Sequence, residues 1–165
     1  MEAAIRALLL CEDFDCEEAR QTAIRHGNDA VDLLISVLDA GASAPLAVST
    51  DLPDETLRRR AASALGDLRS PRALGPLQRA SRDANPLLRA EAARAIGRLD
   101  ATSGSDALLQ LLDDRDPLVR ESAADALARS SSVDVLDELR TAAAREALPH
   151  VRDALERAIR TLEHP

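Results

Sequence analysis

Four arginines, Arg58, Arg89, Arg120 and Arg152, recur along the chain at intervals of 31, 31 and 32 residues. A guanidinium is a planar, permanently charged fork of N–H donors that suits carboxylates and backbone carbonyls alike. Asp83, Asp114 and Glu146 stand six residues ahead of the last three of these arginines, whereas Leu52 holds that place before Arg58. The pattern is that of a structural ladder, each arginine bridging the loop ahead of it and the neighbouring repeat, rather than of a ligand site. Other candidate chemistry is thin. Cys11 and Cys16 have only His26 nearby as a third ligand, short of the four that zinc usually takes and unlike a redox C-x-x-C; they read as buried, reduced thiols. His150 and His164 are isolated, and no histidine stands ready as the base a Ser or Cys nucleophile needs. Ser130, Ser131 and Ser132 fall in a loop, and no Gly-rich phosphate loop occurs. The sequence assigns no catalytic residue, no metal site and no cofactor.

The elements that carry the arginines are helices. Four segments align: LPDETLRRRAASALGDL from Leu52, NPLLRAEAARAIGRL from Asn85, DPLVRESAADALARS from Asp116 and LPHVRDALERAIRTL from Leu148. Their apolar columns are Leu57, Leu88, Val119, Val151; then Ala61, Ala92, Ala123, Leu155; Ala64, Ala95, Ala126, Ala158; and Leu65, Ile96, Leu127, Ile159. Within a segment these fall at i, i+4, i+7 and i+8, one face of an α-helix. Asn85-Pro86 and Asp116-Pro117 put a capping side chain before a proline at the first helical position. Gly66 and Gly97, near the segment ends, read as stop signals. Between these A helices lie shorter B helices marked by Leu74, Leu77 and Ala80, then Ser105, Leu108 and Leu111, then Leu136, Leu139 and Ala142. The first of them is expected to start near Ala73, with Pro76 in its first turn. Upstream, Cys16 to His26 is a degenerate A helix, Asp29 to Ala40 another B helix with Val31, Leu34, Val37 and Leu38 on one face, and Ala3 to Leu10 a terminal cap. The single phenylalanine, Phe14, is expected to plug the open end of the stack.

Composition agrees with this reading. The chain has 165 residues, 45% apolar but only 1% aromatic, and all 21 basic residues are arginine. Ala and Leu with few glycines favour helix, and small side chains let layered helices approach closely without aromatic filling. The expected fold is an all-α solenoid of about five hairpins over residues 1–165. Residues 1–40 form a degenerate cap and hairpin, 41–53 a longer connection, and 54–165 the regular repeats.

DPLVRESAADAL, from Asp116 to Leu127, and its sister NPLLRAEAARAIG resemble HEAT repeats, more narrowly the short bacterial kind named after phycobilisome lyases. The resemblance covers Leu52 to Leu162. It implies a right-handed α-solenoid with A helices on the convex side and B helices lining a concave face. It implies little about function, since this repeat serves scaffolds, regulators and a few lyases.

Solenoids use the concave face for extended ligands. The polar positions of the successive B helices are Asp29, Asp32, Ser36, Asp39; Arg72, Gly75, Arg79, Arg82; Ser103, Asp106, Gln110, Asp113; and Asp134, Asp137, Thr141, Ala144. That surface is acidic except for one arginine rung. Beside it runs a column of Ile35, Gln78, Leu109 and Arg140, in which Leu109 is an apolar residue at a polar edge, the type that anchors an interface. The expected partner-binding set is Asp32, Asp39, Arg79, Arg82, Asp106, Leu109, Asp113, Asp134 and Asp137, facing a protein with basic residues. A net charge of −8 disfavours nucleic acid, whose binders need a basic surface, and anionic lipid. It therefore argues against a helical-repeat DNA glycosylase. No apolar run approaches the roughly 18 residues of a membrane span, and Glu2 and Arg6 break the pattern of a secretory signal. The sequence reads as a cytoplasmic, monomeric, non-catalytic scaffold or interaction module. The alternative drawn from the family name, a bilin lyase-like chromophore handler, would have to hold a tetrapyrrole with almost no aromatic or histidine side chains.

Overall fold

The computed structural model describes residues 2–10, 16–41, 52–130 and 133–164. Phe14, Cys11, Ser131, Ser132 and most of the 41–53 connection lie outside these residues. Among the described residues are ten α-helices and no strand. They are α1 (Glu2–Leu10), α2 (Cys16–His26), α3 (Asn28–Ala40), α4 (Asp54–Leu68), α5 (Leu74–Ala80), α6 (Pro86–Asp100), α7 (Ser105–Leu111), α8 (Pro117–Leu127), α9 (Leu136–Arg145) and α10 (Pro149–Glu163). The A helices are α2, α4, α6, α8 and α10; the B helices are α3, α5, α7 and α9. Each B helix packs most closely along the A helix that follows it, and α1 pairs likewise with α2, so the ten helices form an α-solenoid of five antiparallel pairs.

Local chemistry sets the helix limits. The Asn85 side chain accepts a hydrogen bond from the Leu87 N–H and that of Asp116 from the Leu118 N–H, both at 2.9 Å, with Pro86 and Pro117 opening the helices behind them. Before α5 the chain makes a 3₁₀ turn at Pro71–Ala73, so Pro76 falls in the first turn of the α-helix, where its missing N–H breaks no bond. The four apolar columns of the A helices are buried, Ile159 alone being only half-buried. From the B helices Leu77, Leu108 and Leu139 reach the same core fully buried, as does Leu34 of α3. Each such leucine contributes about 1.5–3 kcal/mol.

Gly66 and Gly97 do not stop helices. Both are buried inside α4 and α6, which run on to Leu68 and Asp100. A Cβ at Gly66 would lie 2.7 Å from the Ala95 Cα, and one at Gly97 would lie 2.9 Å from the Ala126 Cα. These two glycines let successive A helices touch backbone to backbone. α4 ends instead at Arg69, in the left-handed conformation at φ 49°. The B helices pack differently: α3 rests on α5, but α5, α7 and α9 hardly touch one another.

Gly66→Ala and Gly97→Ala are each expected to destabilise the protein by about 1–3 kcal/mol through overpacking, although alanine is the better helix former by up to about 1 kcal/mol. Thermal unfolding followed by circular dichroism checks this; a Tm unchanged or raised in both variants would remove close backbone approach as the constraint.

Candidate functional site

The recurrent arginines lie where the loops between B and A helices meet. Arg89 of α6 points its fork both ways: Nη1 donates to the carbonyls of Asp83 and Ala84 at 2.9 and 3.0 Å, while Nε and Nη2 grip the two carboxylate oxygens of Asp114 at 2.7 Å each. Arg120 repeats this one layer on, bonding the Asp114 carbonyl at 2.9 Å and the Glu146 carboxylate at 2.7 and 3.1 Å. Arg152 donates twice to the Glu146 carbonyl, at 3.1 and 2.6 Å. Arg58, whose own loop lacks the acid, bonds the Leu38 carbonyl of α3 at 2.8 Å and the Asp83 carboxylate at 2.8 Å. Asp83, Asp114 and Glu146 also accept the backbone N–H of Asn85, Asp116 and Leu148 two residues on, which shapes the turn into the next A helix. Arg89 and Arg120 thus join one loop's carbonyl to the next loop's carboxylate, while Arg58 starts the series from a helix carbonyl and Arg152 ends it on a loop carbonyl alone.

The pairs are shielded from water. The Arg89 and Asp114 side chains are only 7% and 11% exposed, so their charges are held by mutual hydrogen bonds rather than by solvent. The Arg120 hydrogen bond outweighs burial and pulls the Glu146 carboxyl from 4.5 down to about 2. Burial pushes Asp83 and Asp114 up, but their bonds to Arg58 and Arg89 and to the backbone N–H groups prevail and hold both below the usual carboxylate range.

On the B-helix face the polar positions read from the sequence are exposed, with Ser36 half-buried. The pairing between helices is what the sequence columns did not reveal. Asp32 of α3 meets Arg72 at 2.8 Å, and Asp39 meets Arg79 at 2.9 Å, so the arginine rung neutralises the acidic rung before it. Arg82 reaches Gln110 of α7 at 3.4 Å. Between α7 and α9, by contrast, a groove of about 300 Å³ opens, lined by Leu109, Leu112, Asp113, Asp137, Glu138, Thr141 and Arg145. Asp113 pairs with Arg145 across it, Asp137 pairs with Arg140 at 3.1 Å, and Arg140 also holds Glu163 of α10 at 2.6 Å. Asp106, a turn before Leu109 on α7, is exposed with no ion-pair partner among the described residues, whereas Asp134 is engaged. Of the nine residues expected to bind a partner, Leu109, Asp113 and Asp137 therefore converge on one groove. Asp32 is tied up with Arg72 and Asp39 with Arg79, and Arg82 leans on the next helix. Glu138 and Arg145 belong to the groove and were missed, because Glu138 lies off the polar columns read from the sequence and Arg145 lies in the part of α9 that has no counterpart in α7.

Stacked, arginine-linked helix pairs of this period define a helical-repeat solenoid, and the comparisons with known proteins specify which kind. The family profile for HEAT repeats matches residues 75–160, just over half of the chain, and the PBS lyase HEAT-like repeat matches residues 57–83. The chain belongs to the HEAT-repeat family. Among solved structures, a chain of the complex of CpcE and CpcF of phycocyanin lyase from Nostoc sp. PCC7120 shares the fold with a TM-score of 0.69 at 22% identity, over 94% of this chain and 98% of that one. No curated protein sequence matches significantly. No helix among the described residues is long and apolar enough to cross a membrane.

Arg89→Ala strands the buried Asp114 carboxylate and is expected to cost about 3–5 kcal/mol, read as a lowered midpoint in urea. Arg89→Lys, which keeps the charge but loses the fork, should recover only part of it. Because the folded Glu146 is the stronger acid, its contribution is complete above pH 4.5 and is lost as pH falls towards 2. Acid titration of stability should therefore be shallower in Glu146→Gln than in the wild-type chain over that window.

Proposed function

We propose that this chain is a non-catalytic protein–protein interaction module, a cytoplasmic scaffold acting as one solenoid over its 165 residues, that binds a partner on its B-helix face. The observation that carries the reading is the uneven charge of that face. Asp32 and Asp39 of α3 are neutralised by Arg72 and Arg79, while in the C-terminal half Asp106 and Glu138 have no ion-pair partner among the described residues and join the paired Asp113 and Asp137 beside the half-exposed Leu109. Carboxylates around an apolar contact suit a partner with basic residues, which they would steer into place as well as hold. That the similar structure is a complex of two chains supports a protein as the partner.

A second reading, a bilin lyase-like subunit, is favoured by the match to the PBS lyase HEAT-like repeat and by the likeness to a phycocyanin lyase chain. Against it stands the groove, which has no aromatic or histidine among its lining residues and lies at the low end of ligand-pocket volumes.

The two readings separate on purification of the chain from its native cell. A colourless complex with a stoichiometric protein partner is expected, monomeric in this chain. Charge reversal by Asp106→Lys with Asp137→Lys should slow association about tenfold or more and flatten its salt dependence. Bound pigment, or transfer of pigment to an acceptor cysteine, would transfer the assignment to the lyase-like reading, and undiminished binding by the charge-reversed chain would remove this face as the site.

A further inference from the structure

The two halves of the B-helix face are built differently, and the difference narrows what can dock there. Between α3 and α5 the helices touch and two ion pairs, Asp32–Arg72 and Asp39–Arg79, bridge them. Between α7 and α9 the helices stand apart, and the gap is floored by Leu109 and the buried Leu112 and walled by Asp113, Asp137, Glu138 and Thr141. A second depression of about 270 Å³ continues from it past Leu112, Asp113 and Arg145 to Ala142, Ala147 and the Arg120–Glu146 rung. The Asp113–Arg145 pair lines both and so crosses the middle of one continuous trough. That pair is unlike the ladder below it: its side chains are 64% and 53% exposed, against 7% and 17% for Glu146 and Arg120. An ion pair so exposed contributes about 0–1 kcal/mol and opens readily.

We infer that the seam between α7 and α9 receives a single basic, amphipathic helix of a partner protein, and that Arg145 holds the place of the partner's cation on Asp113 until that helix docks. This rests on the reading of the B-helix face as a protein-binding surface and deepens it. Charge complementarity selects the occupant: Asp113 and Asp137 are held by the exposed Arg145 and Arg140, while Glu138 and the nearby Asp106 have no ion-pair partner among the described residues, so an incoming chain must bring positive charge, while the leucine floor asks for one apolar side chain between its cations. Length agrees as well. α9 has ten residues, about 15 Å at 1.5 Å per residue, which two to three turns of a partner helix would span. An incoming Arg or Lys pairs with Asp113 and displaces Arg145 into solvent, exchanging one exposed ion pair for another. Binding energy then comes from the apolar contact and the remaining carboxylates, and Arg145 acts as a competitor that weakens loosely matched ligands.

A display library of randomised helical peptides is panned on the full chain, and the best-enriched peptide is measured by fluorescence polarisation. Enriched peptides should carry Arg or Lys at i±3 or i±4 around one Leu, Ile or Met. Leu109→Ala should weaken that peptide about tenfold and Asp113→Asn about two- to fivefold, Asp32→Asn and Asp39→Asn should leave it unchanged, and Arg145→Ala should tighten it about two- to fivefold. All five substitutions fall on exposed or half-exposed side chains, and unaltered circular dichroism confirms the fold. Failure to enrich any peptide, enrichment of acidic or purely apolar ones, or affinity that is unchanged or lower in Arg145→Ala overturns the proposal. If a native partner binds the full chain and ignores Leu109→Ala and Asp113→Asn, the trough is wrong while the broader partner-binding reading survives.

Discussion

The arginine link between successive loops is the interaction on which the rest of the structure depends. Arg89 and Arg120 each reach back six residues to a carbonyl and forward 25 or 26 residues to a carboxylate, as in Arg89 to Asp83 and to Asp114. Those two reaches together make one repeat, so the link itself sets the period. The last interval is a residue longer, and there the forward reach of Arg120 is 26 residues to Glu146, whose side chain is one methylene longer than aspartate. Since a carboxylate also shapes the turn ahead of the next A helix, a single substitution would disturb two loops and one helix start. A buried ion pair is weak evidence for net stability, because desolvation offsets much of the attraction. What these pairs specify is register: each loop can meet only the loop one repeat away.

Register makes the tight A-helix stack possible. Gly66 against Ala95 and Gly97 against Ala126 allow backbone contact only if each helix stops at one axial position, and the link supplies that position. The alanine columns follow from the same closeness, since larger side chains would hold the helices apart. This is how the chain dispenses with tyrosine and tryptophan. The B helices have no such contact. Short and tied mainly to the A helices behind them, they are free to be spaced by their surface chemistry: in contact and bridged by two ion pairs between α3 and α5, and bridged by Asp113–Arg145 across an open groove between α7 and α9.

The fold was legible in the sequence because it is written four times. The columns from Leu57 to Ile159, the caps at Asn85 and Asp116 and the B-helix leucines occupy the places that periodicity assigns. Gly66 and Gly97 were misread as helix stops for a physical reason: a glycine needed for close approach and one needed for a left-handed turn look alike until the neighbouring backbone is known. On the B-helix face, periodicity identified which side chains are exposed but not which of them meet. Asp32 pairs with Arg72 and Asp39 with Arg79, forty residues on, whereas the columns aligned these two B helices at an offset of forty-three, so each acid meets the arginine about one turn before its counterpart. Arg145 and Glu138 lay outside the columns altogether; Arg145 falls in the extra length of α9, whereas Glu138 stands in its first turn between the polar columns.

Repetition and specificity divide the molecule between them. Residues shared by every repeat, the ladder arginines above all, are committed to stacking and can carry no information about one partner. Information resides where the repeat is broken, and the column of Ile35, Gln78, Leu109 and Arg140 is broken at every step. At Leu109 an apolar side chain lies half-exposed in the trough, and at Arg140 a cation bridges Asp137 to the last A helix. The same holds for charge. The net value of −8 says little by itself, since much of it is spent in pairs. On the reading proposed above, a partner would meet what that pairing leaves over, Asp106 and Glu138 beside Leu109, next to the exposed Asp113–Arg145 pair, which can open without loosening the ladder beneath it.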